Sequence, residues 1–184
     1  EKMMAGAKAM VVGHALQAGT QIAPIVSAQQ LQENLDYVAL GRSEGAELVC
    51  GGQRVEMPTD GFYMSPGLFI DSSNTMRINR EEMFAPLAAV IKVGSYDEAL
   101  HVVNDTNFGL TSGIVTRDLA RASHFRRHAK TGCVMVNLPT AGTDYHVPFG
   151  GRGDSSYGPR EQGSYAAEFY TTVKTSYISS GQPS

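Results

Sequence analysis

A chain of 184 residues with 42% hydrophobic side chains can bury one core, or one core and a small appendage. Its net charge of −3 gives no electrostatic reason to expect a nucleic acid or an anionic membrane as partner. No apolar run approaches the ~20 residues that span a bilayer and no signal-peptide pattern opens the chain, so the expected setting is cytoplasmic.

Residues 1–12 read as a helix with no capping signal before it, which predicts a chain cut from something longer. Pro24 closes an irregular stretch, and Ser27 is placed to cap a helix running to about Gly41, with Leu31, Leu35 and Val38 at helical spacing. Residues 46–50 read as a short strand stopped by Gly51 and Gly52. An extended segment is expected at 62–70, a strand at 87–93, and a helix at 96–104 capped by Ser95. A strand at 110–116, a basic helix at 119–130 begun by Asp118, and an apolar strand at 132–137 follow. The order strand, helix, strand, helix, strand predicts an α/β fold with an open, mostly parallel sheet and flanking helices.

After Asn137 the texture changes. Residues 138–163 are crowded with Gly and Pro, and loops of that length inside a compact domain are functional or disordered. Residues 165–170 could end a helix. Residues 171–178 alternate β-branched and aromatic side chains as a strand does, yet no nearby sheet offers to receive it. Residues 179–184 read as a frayed tail.

Cys50 and Cys133 are the two cysteines. They lie far apart in apolar strands, without metal-ligand spacing or a disulfide framework, and both read as structural. His124 and His128 stand at i, i+4, but the residues between them, Phe125, Arg126 and Arg127, include no carboxylate to complete a zinc site. They read as a basic solvated face, and no metal site is expected.

Several segments, in order, resemble the aldehyde dehydrogenase superfamily. Arg80-Glu81-Glu82-Met83-Phe84-Ala85-Pro86 is similar to its Glu-Glu-x-Phe-Gly-Pro signature. Asn104-Asp105-Thr106 with Phe108-Gly109-Leu110, the 132–137 strand, and Pro148-Phe149-Gly150-Gly151 followed by Arg160-Glu161-Gln162-Gly163 resemble the segments that follow it. Residues 137–142, 144–151, 155–161 and 165–174 further resemble the α-ketoglutaric semialdehyde dehydrogenase branch. The resemblance implies residues 1–166 as the C-terminal part of the catalytic domain and 167–178 as an oligomerisation strand that joins a partner subunit's sheet in the full-length homo-oligomer.

The same resemblance implies the reaction: thiolate attack on an aldehyde, hydride transfer to NAD or NADP, and thioester hydrolysis. The Gly-Gln-x-Cys segment that carries the nucleophile is absent from these 184 residues. So are the Gly-rich first turn of the dinucleotide domain and the Leu-Gly-Gly segment of the general base. No catalytic residue is therefore assigned, and the chain alone is expected to be inactive.

What remains is cofactor and substrate contact. The resemblance gives Glu82 the hydroxyls of a ribose, which an ionised carboxylate accepts with charge-assisted bonds. It gives Phe84 an apolar face beside the nicotinamide ribose, with Pro86 stiffening the turn. From the residues alone, the competing reading is a capping carboxylate and a core Phe. Phe149 maps onto an aromatic of the aldehyde tunnel; the competing reading is a core ring anchoring a Gly-rich loop.

Glu161 matches a glutamate assigned to proton transfer, although Pro159 stands inserted just before Arg160. Arg152 and Arg160 are the loop guanidiniums available to a substrate carboxylate, against the plainer reading of solvated surface. Arg152-Gly153-Asp154 departs from the family's usual Lys two residues after the Gly pair, and its likeness to an adhesion tripeptide is set aside for an acidic, cytoplasmic chain.

Two other readings stay in view. One is a non-catalytic module that pairs with a full-length relative through its last strand. The other is a pseudoenzyme, which would need a low-pKa Cys50 or Cys133.

Overall fold

The computed structural model describes residues 1–181. The chain divides into two compact units, the first Glu1–Ala99 and the second beginning at Leu100.

In the first unit, helix α1 covers Lys2–Ala9 and buries none of its residues. After it, Val12 and Ile22 form an isolated parallel bridge. Helix α2 covers Ala28–Ser43, and the Ser27 hydroxyl accepts from the Gln30 amide at its start, as the capping pattern predicts. Its buried face is Leu31, Asn34, Val38 and Gly41. A Cβ at Gly41 would lie 2.9 Å from the Phe69 ring, so the absence of a side chain there lets the helix approach the sheet.

That sheet has three strands in the order β1 (Glu47–Cys50), β4 (Gly67–Ser72), β5 (Leu87–Ile91). β1 runs antiparallel to β4 and β5 parallel to it. A two-stranded antiparallel ribbon of β2 (Arg54–Val55) and β3 (Tyr63–Met64) stands apart. Leu31, Val38, Ala46, Met64, Phe69 and Ile78 form the core, with Met83 and Leu87 packed against it.

The second unit contains β6 (Thr111–Ile114), helix α4 (Leu119–His128) and β7 (Cys133–Val136). β6 and β7 pair in parallel across four positions, from Thr111 with Cys133 to Ile114 with Val136, which makes β6-α4-β7 a βαβ unit. The Asp118 carboxylate caps α4, accepting from the Ala120 and Arg121 amides. Helix α3 (Tyr96–Asn104), whose start is capped by Ser95, precedes this unit's strands. At its far end, Asn104 donates to the His128 carbonyl and accepts from the Lys130 amide, closing the end of α4. A five-residue helix α5 covers Ala166–Tyr170.

One expectation is corrected. Among the described residues the strands do not form one mostly parallel sheet; they form three small sheets, in which the β4–β5 and β6–β7 pairs are parallel. The stretch 73–86 is long enough for a crossover and returns the chain beside β4, so β5 pairs backwards in sequence and not with β6. Cys133 and its neighbours on β7 are half-buried. Of the 167–178 segment expected to join a partner subunit's sheet, residues up to Tyr170 belong to α5, and 171–178 are exposed chain with no ladder partner among the described residues. An extended segment without an edge to pair with cannot satisfy the hydrogen bonds that define a strand. Of the tail expected at 179–184, residues 182–184 lie outside the described residues.

Candidate functional site

The segment 80–86 follows a 3-10 turn at Arg77–Asn79 and has no regular structure of its own from Glu82 to Phe84. Its side chains alternate. Glu81 and Met83 turn towards the protein and are half-buried, while Glu82 and Phe84 are exposed.

Glu81 is held on both oxygens. Arg77 Nε donates to Oε1 at 2.7 Å, and Arg77 Nη2 and the Tyr37 hydroxyl donate to Oε2 at 3.1 and 2.9 Å. The Arg77 bond, with that of Tyr37 behind it, holds the Glu81 carboxyl below the ordinary carboxylate range. The same Glu81 bond, followed by burial, raises the Tyr37 phenol. Met83 packs on the core. Its carbonyl lies 3.0 Å from the side-chain amide of Asn34 on α2, whose nitrogen donates to it once the amide is oriented to avoid facing two carbonyls with its oxygen. Asn34 is fully buried, and a buried amide has to find such a partner.

The neighbouring carboxylates thus differ in role. Glu81 is occupied by the fold, and Glu82 is left facing solvent. Phe84 is 76% exposed with a φ of 46°, in the left-handed region that bulky side chains avoid. The reading of Phe84 as a core ring is therefore excluded. With Gln21, Ile22, Ala23, Ile25, Ala85 and Pro86 it lines an open cleft of about 430 Å³. Glu82 stands two residues from Phe84 and is not among the residues of that cleft wall. A carboxylate with free lone pairs beside an apolar ring is a donor set that fits a ribose diol and the flat group it carries.

In the second unit Phe149 is half-buried and pairs with Glu161 through two backbone hydrogen bonds of 2.8 and 2.9 Å. This bridge closes the Gly-rich loop between them. The loop is stitched further: the Ser155 hydroxyl accepts from the Gly109 amide, that of Ser156 from the Gly151 amide, and the Arg160 guanidinium donates to the Gly151 carbonyl. Arg160 therefore supports the loop, while Arg152 and the Glu161 side chain are exposed. The Arg152-Gly153-Asp154 backbone is tied down, with the Arg152 and Asp154 amides donating to the Gly109 and Asn107 carbonyls. A Cβ on Gly132 would fall 1.7 Å from the Gly150 carbonyl oxygen, so β7 and the loop meet at a distance only glycine allows.

A second cleft, about 780 Å³, opens beyond the carboxyl ends of β6 and β7, between Val115, Thr116, Arg117, Asn137, Leu138 and Pro139. Asn137, at φ 56°, accepts from the Thr116 amide at 2.8 Å and donates to its carbonyl at 3.0 Å, extending the ladder by one side chain. Carboxyl ends of parallel strands are where open α/β sheets bind ligands. The sequence reading passed over this cleft because none of its residues carries a chemical signature alone. It also passed over Asn34, Tyr37 and Arg77, which lie far in sequence from the loop they hold.

His124 and His128 stack at 3.9 Å, exposed on α4, and no group of three or more metal-ligating side chains occurs among the described residues. Cys50 and Cys133 carry free thiols. No helix among the described residues is long and apolar enough to cross a membrane.

The aldehyde dehydrogenase family model matches residues 1–176. An α-ketoglutaric semialdehyde dehydrogenase of Bacillus subtilis is 37% identical over 97% of this chain and 37% of its own length. An α-ketoglutarate semialdehyde dehydrogenase of Haloferax volcanii is 42% identical over 86% of this chain and 34% of its own length. Among solved structures, a mutant indole-3-acetaldehyde dehydrogenase of P. syringae, in complex with NAD+ and IAA, superposes with a TM-score of 0.87 at 34% identity. That match covers 95% of this chain and 35% of the other. The chain thus spans little more than a third of the curated relatives it matches. It belongs to the aldehyde dehydrogenase family, a family of oxidoreductases.

Proposed function

We propose that the chain works as the C-terminal part of an NAD(P)-dependent aldehyde dehydrogenase in the cytoplasm, oxidising α-ketoglutaric semialdehyde to the carboxylate, and that alone it is inactive. The observation that carries this reading is the outward pair Glu82 and Phe84, set on a loop whose other residues are spent on the fold. In this reading the Glu82 carboxylate accepts from the two hydroxyls of a ribose. Phe84 covers the nicotinamide end, excluding water and orienting the ring. When bound, NAD or NADP supplies the hydride acceptor. Phe149 lines the aldehyde's path.

The substrate class rests on likeness to the two semialdehyde dehydrogenases and on the need of an oxo-acid for a cationic partner. Because Arg160 is drawn to the Gly151 carbonyl, we assign the substrate carboxylate to Arg117, the one cation in the wall of the β6–β7 cleft. In the parent, 171–178 pairs with a neighbouring subunit; nothing observed favours a separate non-catalytic module.

The test is the complete gene product, assayed for NAD(P)H formation with α-ketoglutaric semialdehyde and with a neutral aldehyde of equal length. Activity on the semialdehyde, with Glu82→Gln raising KM for the dinucleotide and Arg117→Gln raising KM for the semialdehyde alone, is the expected result. Absence of dehydrogenase activity on both aldehydes refutes the reading.

A further inference from the structure

We infer that Asn34 is a positioning residue for the Glu82–Phe84 pair, which ties presentation of the cofactor loop to the buried face of α2. This rests on the reading of that pair as the dinucleotide contact.

The geometry is asymmetric in a telling way. From Glu82 to Phe84 the chain has no regular structure, and Phe84 sits in a left-handed conformation that costs energy for a side chain with a Cβ. Something has to hold it there. Upstream, Glu81 is gripped by Arg77 and Tyr37. Downstream, the Pro86 carbonyl accepts from the Gly67 amide. Between these anchors the Asn34 amide nitrogen reaches the Met83 carbonyl at 3.0 Å, as well as the Gln30 carbonyl of its own helix at 3.2 Å.

Met83 separates the two outward residues, so fixing its peptide plane sets the direction of both. A fully buried amide on the α2 face that also carries Leu31 and Val38 is otherwise costly there. One of its N–H groups meets the Met83 carbonyl, on which the exposed pair depends.

The test uses the full chain and no ligand. Backbone 15N relaxation is measured for wild type, Asn34→Leu and Asn34→Asp, both branched at Cγ as Asn is and neither, with Asp ionised, offering a donor. Expected is a fall of the order parameters of residues 82–85 from the rigid range near about 0.85 to below about 0.6, while the α2, β1 and β4 amides keep theirs. Unchanged order at 82–85 in a folded variant overturns the proposal.

If neither variant folds, wild type decides. One Asn34 side-chain amide proton should exchange slowly and show a cross-peak to Met83 or Phe84; fast exchange of both protons overturns it. Failure of the cofactor reading is a separate result, seen as Glu82→Gln leaving dinucleotide affinity of the complete enzyme unchanged while the order parameters still respond to Asn34.

Discussion

At the scale of single residues, the left-handed φ of Phe84 is the outlier that connects backbone to function. Glycine would adopt it freely, and an exposed Phe loses little packing when removed. Phe84→Gly is expected to leave stability unchanged or raise it by up to about 1 kcal/mol, read from the urea midpoint, while weakening dinucleotide binding by the complete enzyme. A loss of more than that amount in stability would mean the ring is structural.

The Tyr37–Glu81–Arg77 cluster makes a pH prediction. Glu81 has its carboxyl lowered by Arg77 and then Tyr37, so its contribution is complete above the ordinary carboxylate range and is lost as pH falls through the lowered value. Tyr37, raised by Glu81, contributes below the ordinary phenol value and loses this as pH rises through the raised one. Tyr37→Phe should therefore cost most near neutrality, where both groups hold their bonded states. The gap to wild type should close at both pH extremes in a series of urea titrations.

Elements are joined here by close approaches that only small residues permit. Gly132 meets the Gly150 carbonyl at the start of β7, and Gly41 meets Phe69 where α2 lies on β4. The two differ in what a methyl would strike. At Gly41 it strikes a ring edge that can shift, and a better helix former offsets part of the loss; Gly41→Ala should cost about 1–2 kcal/mol. At Gly132 it strikes backbone, which cannot move without displacing the Gly-rich loop. Gly132→Ala should cost about 3 kcal/mol or more and disturb the Phe149–Glu161 bridge, visible as faster amide exchange at both residues. Equal effects of the two substitutions would contradict this contrast.

For the whole molecule, the open question is the exposed chain after α5. Val173 and Tyr177 are 97% and 96% exposed and lie in a segment with no ladder partner among the described residues, whose backbone is open to pairing. On the proposed role of 171–178, the complete enzyme should associate in sedimentation runs, and replacing both residues with Lys should abolish that association and leave the thermal midpoint unchanged. Association that persists in the double variant would place the interface elsewhere.

Local pattern alone determined much of this. Ser27 and Asp118 as caps, the α2 and α4 spans, and the strand character of 47–50 and 133–136 follow from propensity, capping and periodicity, which act within a few residues. Glu82 and Phe84 are marked only through the family resemblance of the Glu-Glu-x-Phe run, since from the residues alone a capping carboxylate and a core ring compete with it. Tertiary structure decided the rest, because it depends on contacts between residues distant in sequence. Which of two adjacent glutamates is spent on the fold was settled by Tyr37 across 44 positions. That β5 joins β4 and not β6 was settled by a crossover whose path no local propensity encodes. The cleft beyond β6 and β7 exists only because parallel pairing brings Thr116 and Asn137 side by side.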